Sequence, residues 1–334
     1  MTALLLFIGF VILSAVLADI FVTTLTTRGA GFLTGRLLEA LWRVALWLHR
    51  RRPSHRLLAN AGPLLSASLL LIWVLGLWAG WSFVFNAATT AVVDAKTGQP
   101  ADVWSRIYYA GFTLFTLGLG DYRPNGAPWQ ILSAICVANG LLIITLSVTY
   151  LVPVVSAVSR KRQLASSIAS LGMRPAEILA TGWYKGSFDR LVAQLGGLSG
   201  NISELAQQHL AYPALHYFHS ADEHTALGPR LAALDEALRL LRYAVASEAR
   251  PAEIDLRPLA GSLQIYTDAL ATAHVSPAAE APPMPSLAFL QERGIPLASM
   301  DEIEAGFRPD RRHRRMLLAL VRHDGWDWPG DGTA

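Results

Sequence analysis

The sequence is short of charge, almost free of cysteine, and has no apolar run with arginines at every third position. Only 16% of its 334 residues are charged, against about 25% in a soluble globular domain. The deficit is local, because apolar residues crowd into the first half, as in a membrane protein with a soluble tail. Cys136 is the one cysteine, so an intrachain disulfide is excluded. A net charge of +3 gives no argument for nucleic acid, and no nucleic-acid partner is expected. The basic residues sit instead in short clusters beside apolar segments, where they orient a membrane protein. No apolar segment carries arginines at every third position, which excludes a voltage sensor of the usual type. The tail lacks a Gly-x-Gly-x-x-Gly fingerprint and any Ser-His-Asp, phosphate-loop or metal-hydrolase pattern. Neither an enzyme nor a bound cofactor is expected.

What is present is three long apolar runs, about Ala3 to Leu25, Pro63 to Phe85 and Pro128 to Val158. Each can cross a hydrocarbon core that needs about 20 helical residues. Val16-Leu17-Ala18 imitates a signal-cleavage site, but no basic segment precedes the first run. Orientation also favours an uncleaved helix. Arg28, Arg36, Arg43, Arg50, Arg51, Arg52 and Arg56 separate the first two runs, and Arg160, Lys161 and Arg162 follow the third. Only Lys96, Arg106 and Arg123 lie between the second and third. The positive-inside rule then puts the N-terminus outside, the 87–127 region outside, and the C-terminus in the cytoplasm. The chain is expected to be a multi-pass protein of the cell's inner (plasma) membrane, with membrane lipid as one partner.

Residues 33–49 place Leu33, Leu37, Leu41, Val44 and Leu48 at helical spacing, with Trp42 and Trp47 as interfacial anchors. Two placements suit this helix: on the cytoplasmic membrane face, or packed on the soluble tail. Beyond Arg162 the pattern is helical, with no long period-two run. Ser276 to Pro285 reads as a linker.

The informative stretch is Thr116-Leu117-Gly118-Leu119-Gly120-Asp121, between the second and third runs. A potassium ion stripped of water must be offered oxygens, and backbone carbonyls can supply them if successive peptides point inward. That arrangement alternates ordinary and left-handed backbone, which glycine adopts without a Cβ penalty. Gly118 and Gly120 alternate as required. Thr116 can add a hydroxyl oxygen, and Asp121 can anchor the outer end by bonding the helix behind it. Residues 103–115 suit a short helix whose C-terminal partial negative charge faces the cation.

This segment resembles the potassium-channel signature Thr-Val-Gly-Tyr-Gly-Asp. It is still more similar to the Thr-Ile-Gly-Leu-Gly-Asp-Tyr-Val-Pro form in the second pore loop of two-pore-domain potassium channels. The resemblance covers about residues 63–158. It implies an all-α membrane protein of three transmembrane helices, with a re-entrant pore helix and filter and a helical cytoplasmic C-terminal domain. It implies K+ sites at the carbonyls of Thr116, Leu117, Gly118 and Leu119, with Gly120 completing the filter and Asp121 anchoring it. Two departures stand out: Leu119 replaces the usual aromatic, and Phe112 stands where some members place a glutamate. One pore loop per chain implies a homotetramer, since the filter needs four.

The expected domains are a transmembrane helix at 1–27, a cytoplasmic amphipathic linker at 28–61 and a pore domain at 62–159. A cytoplasmic helical domain follows at 160–275, then a linker and tail at 276–334. In the third run, Gly140 suits either a gating hinge or close helix packing. Leu141, Ile144, Val148, Val152 and Val155 share a helical face that lines a cavity or meets lipid. If it lines the cavity, Val152 and Val155 form a hydrophobic gate. Asp19 needs a partner, with Arg28 or Arg43 as candidates. An unidentified regulatory ligand is expected to act through the tail. There, His209, His216, His219 and His224 suit a packed core better than a metal or pH site. Leu227, Leu231, Leu234, Leu238, Leu241 and Val245 suit packing inside one chain better than a four-chain coiled coil. The expected function is passive K+ conduction. The alternatives are a non-selective cation channel on the same fold, or a membrane-anchored receptor with a vestigial pore loop.

Overall fold

A computed structural model describes residues 2–26, 29–272, 275–308 and 311–330. Its helices are α1 (Thr2–Leu25), α2 (Phe32–Arg51), α3 (His55–Asn86), α4 (Val103–Leu114), α5 (Ala127–Ala169), α6 (Pro175–Gly182) and α7 (Asp189–Ala211). They continue with α8 (Leu227–Arg239), α9 (Glu253–Thr272), α10 (Ala288–Glu292), α11 (Met300–Phe307) and α12 (Arg311–His323). Strands β1 (Val92–Asp94) and β2 (Tyr122–Pro124) pair antiparallel, with Val93 opposite Arg123. α1, α3 and α5 are long and apolar enough to cross a membrane. The chain divides into one unit of Met1–Leu41 with Pro63–Val154 and a second of Trp42–Gly62 with Val155–Ala334.

In the first unit, small residues let α1 and α3 approach closely. Gly76 and Gly80 lie four apart and so share a face of α3. A Cβ on Gly80 would stand 2.8 Å from the Leu13 side chain, and one on Gly9 would stand 2.9 Å from the Gly80 carbonyl oxygen. Within a bilayer, where apolar burial gives little drive, such close packing holds helices together.

Asp19 is 4% exposed and caps α2. Its Oδ1 accepts from the Leu33 and Thr34 amides at 2.8 and 3.2 Å. Its Oδ2 accepts from the Thr34 hydroxyl at 2.5 Å and Trp73 Nε1 at 2.9 Å. A helix N-terminus offers unpaired N–H donors and a partial positive charge, which suit a carboxylate. Arg43 faces away on the exposed side of α2, and Arg28 lies outside the described residues.

In the second unit α8 is the central helix, and every one of its residues is buried. The leucine seam from Leu227 to Leu241 is consumed within the unit, so packing inside one chain is what the structure contains. Asp235 accepts from Arg239 Nε at 2.9 Å, one turn on, and meets His313 Nε2 at 3.0 Å. Glu236 takes two bonds from Arg314, from Nε at 2.6 Å and from the terminal nitrogen at 3.0 Å. One side of α2 also packs here: Trp42 meets the Tyr217 ring, and its Nε1 donates to the His323 carbonyl at 3.3 Å.

Candidate functional site

The candidate site is the loop leaving α4, and its precision comes from how firmly α4 is held. Asp102 caps the helix, its Oδ1 accepting from the Ser105 amide at 2.7 Å. Arg106, only 5% exposed, donates to Asn86 Oδ1 and to the Thr89 carbonyl, both at 2.9 Å. Trp78 Nε1 donates to the Ile107 carbonyl at 2.9 Å. Gly111 leaves room for that indole, since a Cβ there would sit 3.0 Å from the same nitrogen. From α5, Ser133 Oγ meets the Tyr109 hydroxyl at 2.6 Å. Gly140 comes so close that an added Cβ would lie 1.7 Å from the Leu114 carbonyl oxygen. A side chain at position 140 would therefore overlap the end of α4.

At the end of α4 the backbone changes hand residue by residue. The Leu117 amide still reaches back to the Phe112 carbonyl at 2.8 Å. Thr116 has φ +59°, Gly118 +55° and Gly120 +80°. Positive φ at every second residue turns peptides that would otherwise alternate onto a common side. Among the described residues beyond their chain neighbours, no atom lies within 4 Å of a Cβ built on Gly118 or Gly120, so within the single chain it is conformation that favours glycine there. Thr116 takes the left-handed region without that freedom, a conformation costing about 1–3 kcal/mol that surrounding structure must hold. The C-terminal end of α4 adds partial negative charge beside this loop.

The outer end is tied down as well. The Asp121 carbonyl accepts from the Ala95 amide at 2.9 Å, and β1–β2 pairing follows at once. The Asp121 carboxylate accepts from the Tyr122 amide at 3.1 Å and interacts with Tyr108 on α4. Ser105 donates to the Tyr122 hydroxyl at 3.0 Å. Phe112 packs edge-on against Tyr108 and Tyr109 at 5.1 Å each, so an aromatic cluster backs the loop. Residues 115–121 are all exposed in the single chain, Leu117 at 64% and Leu119 at 53%.

Along α5, Leu141, Ile144, Val148, Val152 and Val155 are all more than half exposed. They form the single face read from the sequence. Arg106, Trp78 and the Tyr109–Ser133 pair were not foreseen. The Gly-x-x-x-Gly at 76–80, a known close-packing pattern in apolar helices, was the available sign of α1–α3 packing.

Of the tail histidines, His209, His216 and His219 pack inside the second unit. His209 Nδ1 lies 3.1 Å from the Leu205 carbonyl, and His216 Nε2 lies 3.0 Å from His323 Nδ1. His219 bridges His55 at 3.1 Å and Asp324 at 3.4 Å, while His224 is exposed beside Asp222. Burial, reinforced by nearby Lys161, pulls His209 down to about 3. Burial and His323 hold His216 well below the usual range. Among the described residues no group of three or more His, Cys, Asp or Glu is arranged to hold a metal ion.

Residues 70–157 match a family described as ion channel. The chain is 34% identical over 322 residues to the "Uncharacterized membrane protein YdjJ" of Bacillus subtilis (strain 168), covering 96% of this chain and 94% of that one. No solved structure matches.

Proposed function

The chain belongs to the ion-channel family that its residues 70–157 match, a family of channels and not of enzymes, and from that premise we propose that it conducts potassium selectively. The supporting observation is the alternation of positive φ at Thr116, Gly118 and Gly120 at the end of a firmly held α4. In this reading the carbonyls of Thr116, Leu117, Gly118 and Leu119 replace the hydration shell of K+. Gly120 completes the filter, and Asp121 braces it through Tyr108 and the Tyr122 amide.

A single chain offers one such loop, and a ring of oxygens needs several. Channels of this family are membrane oligomers, and a cyclic homotetramer supplies four loops around one axis. Burial supports this reading. Only 17% of the most apolar stretch of α5 is buried within the chain, against 39% for α3, which leaves α5 to be covered by neighbouring copies. Its exposed face from Leu141 to Val155 would then line the path below the filter. Val152 and Val155 would be the narrow apolar ring that gates by dewetting. Basic clusters at 36–56 and 160–162 favour an outside N-terminus and a cytoplasmic C-terminal unit in the inner membrane. That unit would bias the gate through a regulatory ligand.

Potassium flux into proteoliposomes tests the filter, comparing the native chain with Gly118→Ala. A side chain at φ +55° costs about 1–2 kcal/mol in each copy, and four copies share one pore. Flux should fall at least about tenfold. Equal flux from both proteins would remove the assignment. The non-selective alternative draws on Leu119, which places an alkyl side chain where the resemblance has an aromatic. Reversal potentials separate it.

A further inference from the structure

We propose that the outward face of α2 is a binding surface for anionic phospholipid headgroups. The helix has two sides with different work. Leu38, Trp42, Leu46 and His49 are buried. On the other side Phe32 is 66% exposed, Val44 55% and Trp47 50%, with Leu33 and Leu48 also exposed.

The exposed side has an order that a random solvent face lacks. Arg36, Arg43 and Arg50 recur every seventh residue, and so do Leu33, Ala40 and Trp47. Seven residues make nearly two turns of helix, so each set runs as a row along the axis, the cationic row beside the apolar one. All six residues are exposed. Two arginines are already stacked on aromatic rings of this side. The Arg36 guanidinium sits 3.8 Å from the Phe32 ring centre, and that of Arg51 sits 4.0 Å from Trp47. Stacking engages the flat face of a guanidinium, and its N–H edge remains suited to a phosphate oxygen pair.

Charge and location select the occupant. The helix carries Arg36, Arg43, Arg50 and Arg51 against the single acid Glu39, and exposed Arg52 and Arg56 follow. Six residues separate it from α1, and Asp19 of α1 caps its first turn. The helix is thereby fixed to the end of a segment apolar enough to cross the membrane. A row of cations beside a row of apolar and aromatic side chains there fits the boundary between anionic headgroups and acyl chains. A free anion would use the arginines and leave Phe32, Leu33 and Trp47 unexplained.

The test reads lipid contact directly and is independent of conduction. The full-length protein is reconstituted into vesicles of three parts phosphatidylcholine to one part phosphatidylglycerol, with brominated chains on one lipid or the other. The Trp47 contribution is the difference in tryptophan quenching between the native chain and Trp47→Phe. Per mole of brominated lipid, phosphatidylglycerol should quench Trp47 at least about twice as strongly as phosphatidylcholine, and added salt should shrink the excess. The triple variant R36Q/R43Q/R50Q changes only exposed side chains. It should abolish the excess while keeping the native helical circular dichroism. Equal quenching by both headgroups, or an excess that survives the triple variant, would overturn the proposal. Absence of quenching by either lipid would also overturn it, and would assign the face to a protein partner.

Discussion

At the scale of single residues, the first unit depends on a few atoms that have no room or no substitute. Gly140 is one. An alanine there would drive a methyl group into the Leu114 carbonyl, 1.7 Å away, so α5 must shift from the helix that presents the loop. Overpacking of this kind costs about 1–3 kcal/mol. Gly140→Ala should lower the thermal midpoint of the detergent-solubilised protein, whereas Gly197→Ala, on the exposed side of α7 with open space around its Cβ and no positive φ, should not lower it. Asp19 is the second case. Asp19→Ala leaves the Leu33 and Thr34 amides and Trp73 Nε1 without their acceptor, and an orphaned buried donor costs about 1–3 kcal/mol. Thermal unfolding reads that loss. Arg43→Ala should leave the midpoint almost unchanged, because that residue is exposed and does not serve the carboxylate.

At the scale of elements, the second unit holds its charges by pairing them and its histidines by keeping them neutral. Burial pushes the Glu236 carboxyl up, to about 7, against the opposing pull of Arg314. Arg314→Leu removes both bonds and should cost about 3–5 kcal/mol, the usual penalty for breaking a buried pair from one side. His209 and His216 set a pH dependence with a definite sign. Their folded pKa values lie below that of a free imidazole, about 6.5. The unfolded chain therefore binds more protons below pH 6.5, and stability is lost as the pH falls from there toward about 3. Each histidine contributes up to about 1.4 kcal/mol per pH unit. Glu236 works in the opposite sense, because a carboxyl raised to about 7 takes up its proton more readily in the folded chain. It offsets the two histidines between pH 8 and 6.5 and is outweighed by them below, so denaturant midpoints measured at pH 8, 6.5 and 5 should be level across the first interval and drop across the second. His209→Gln should flatten the drop. Asp235, lowered to about 2 despite burial because His313 and Arg239 face it, acts only below about pH 4.

Much of this was legible in the sequence where a local pattern carries the information. Three apolar runs became α1, α3 and α5, and the stretch at 103–115 became α4. The seam at 227–241 became the buried α8. Partners distant in sequence were not legible. Nothing near Asp19 announces that its acceptor role serves the amides of residues 33 and 34. The β1–β2 ribbon is only three residues per strand, too short for alternation to register. Arg106 reads as an outside charge, yet it is buried against Asn86 and Thr89. Apolar runs also blur their own ends. α3 begins at His55 and α5 runs to Ala169, beyond the stretches that apolarity marks, because packing in the second unit extends both helices.

At the scale of the whole molecule, the loop and the α5 face are both exposed in the single chain, as the proposed assembly requires. The tetrameric reading expects native mass spectrometry to find four chains of 36.3 kDa in one particle, and a dimer would contradict it. Ion preference is the sharper matter, because carbonyl oxygens held at fixed alternation are what would separate potassium from sodium. The decisive measurement is the reversal potential of the reconstituted protein with potassium on one side of the bilayer and sodium on the other. Current should reverse close to the potassium equilibrium potential. Reversal near zero millivolts would contradict potassium selectivity and leave a channel that passes both ions.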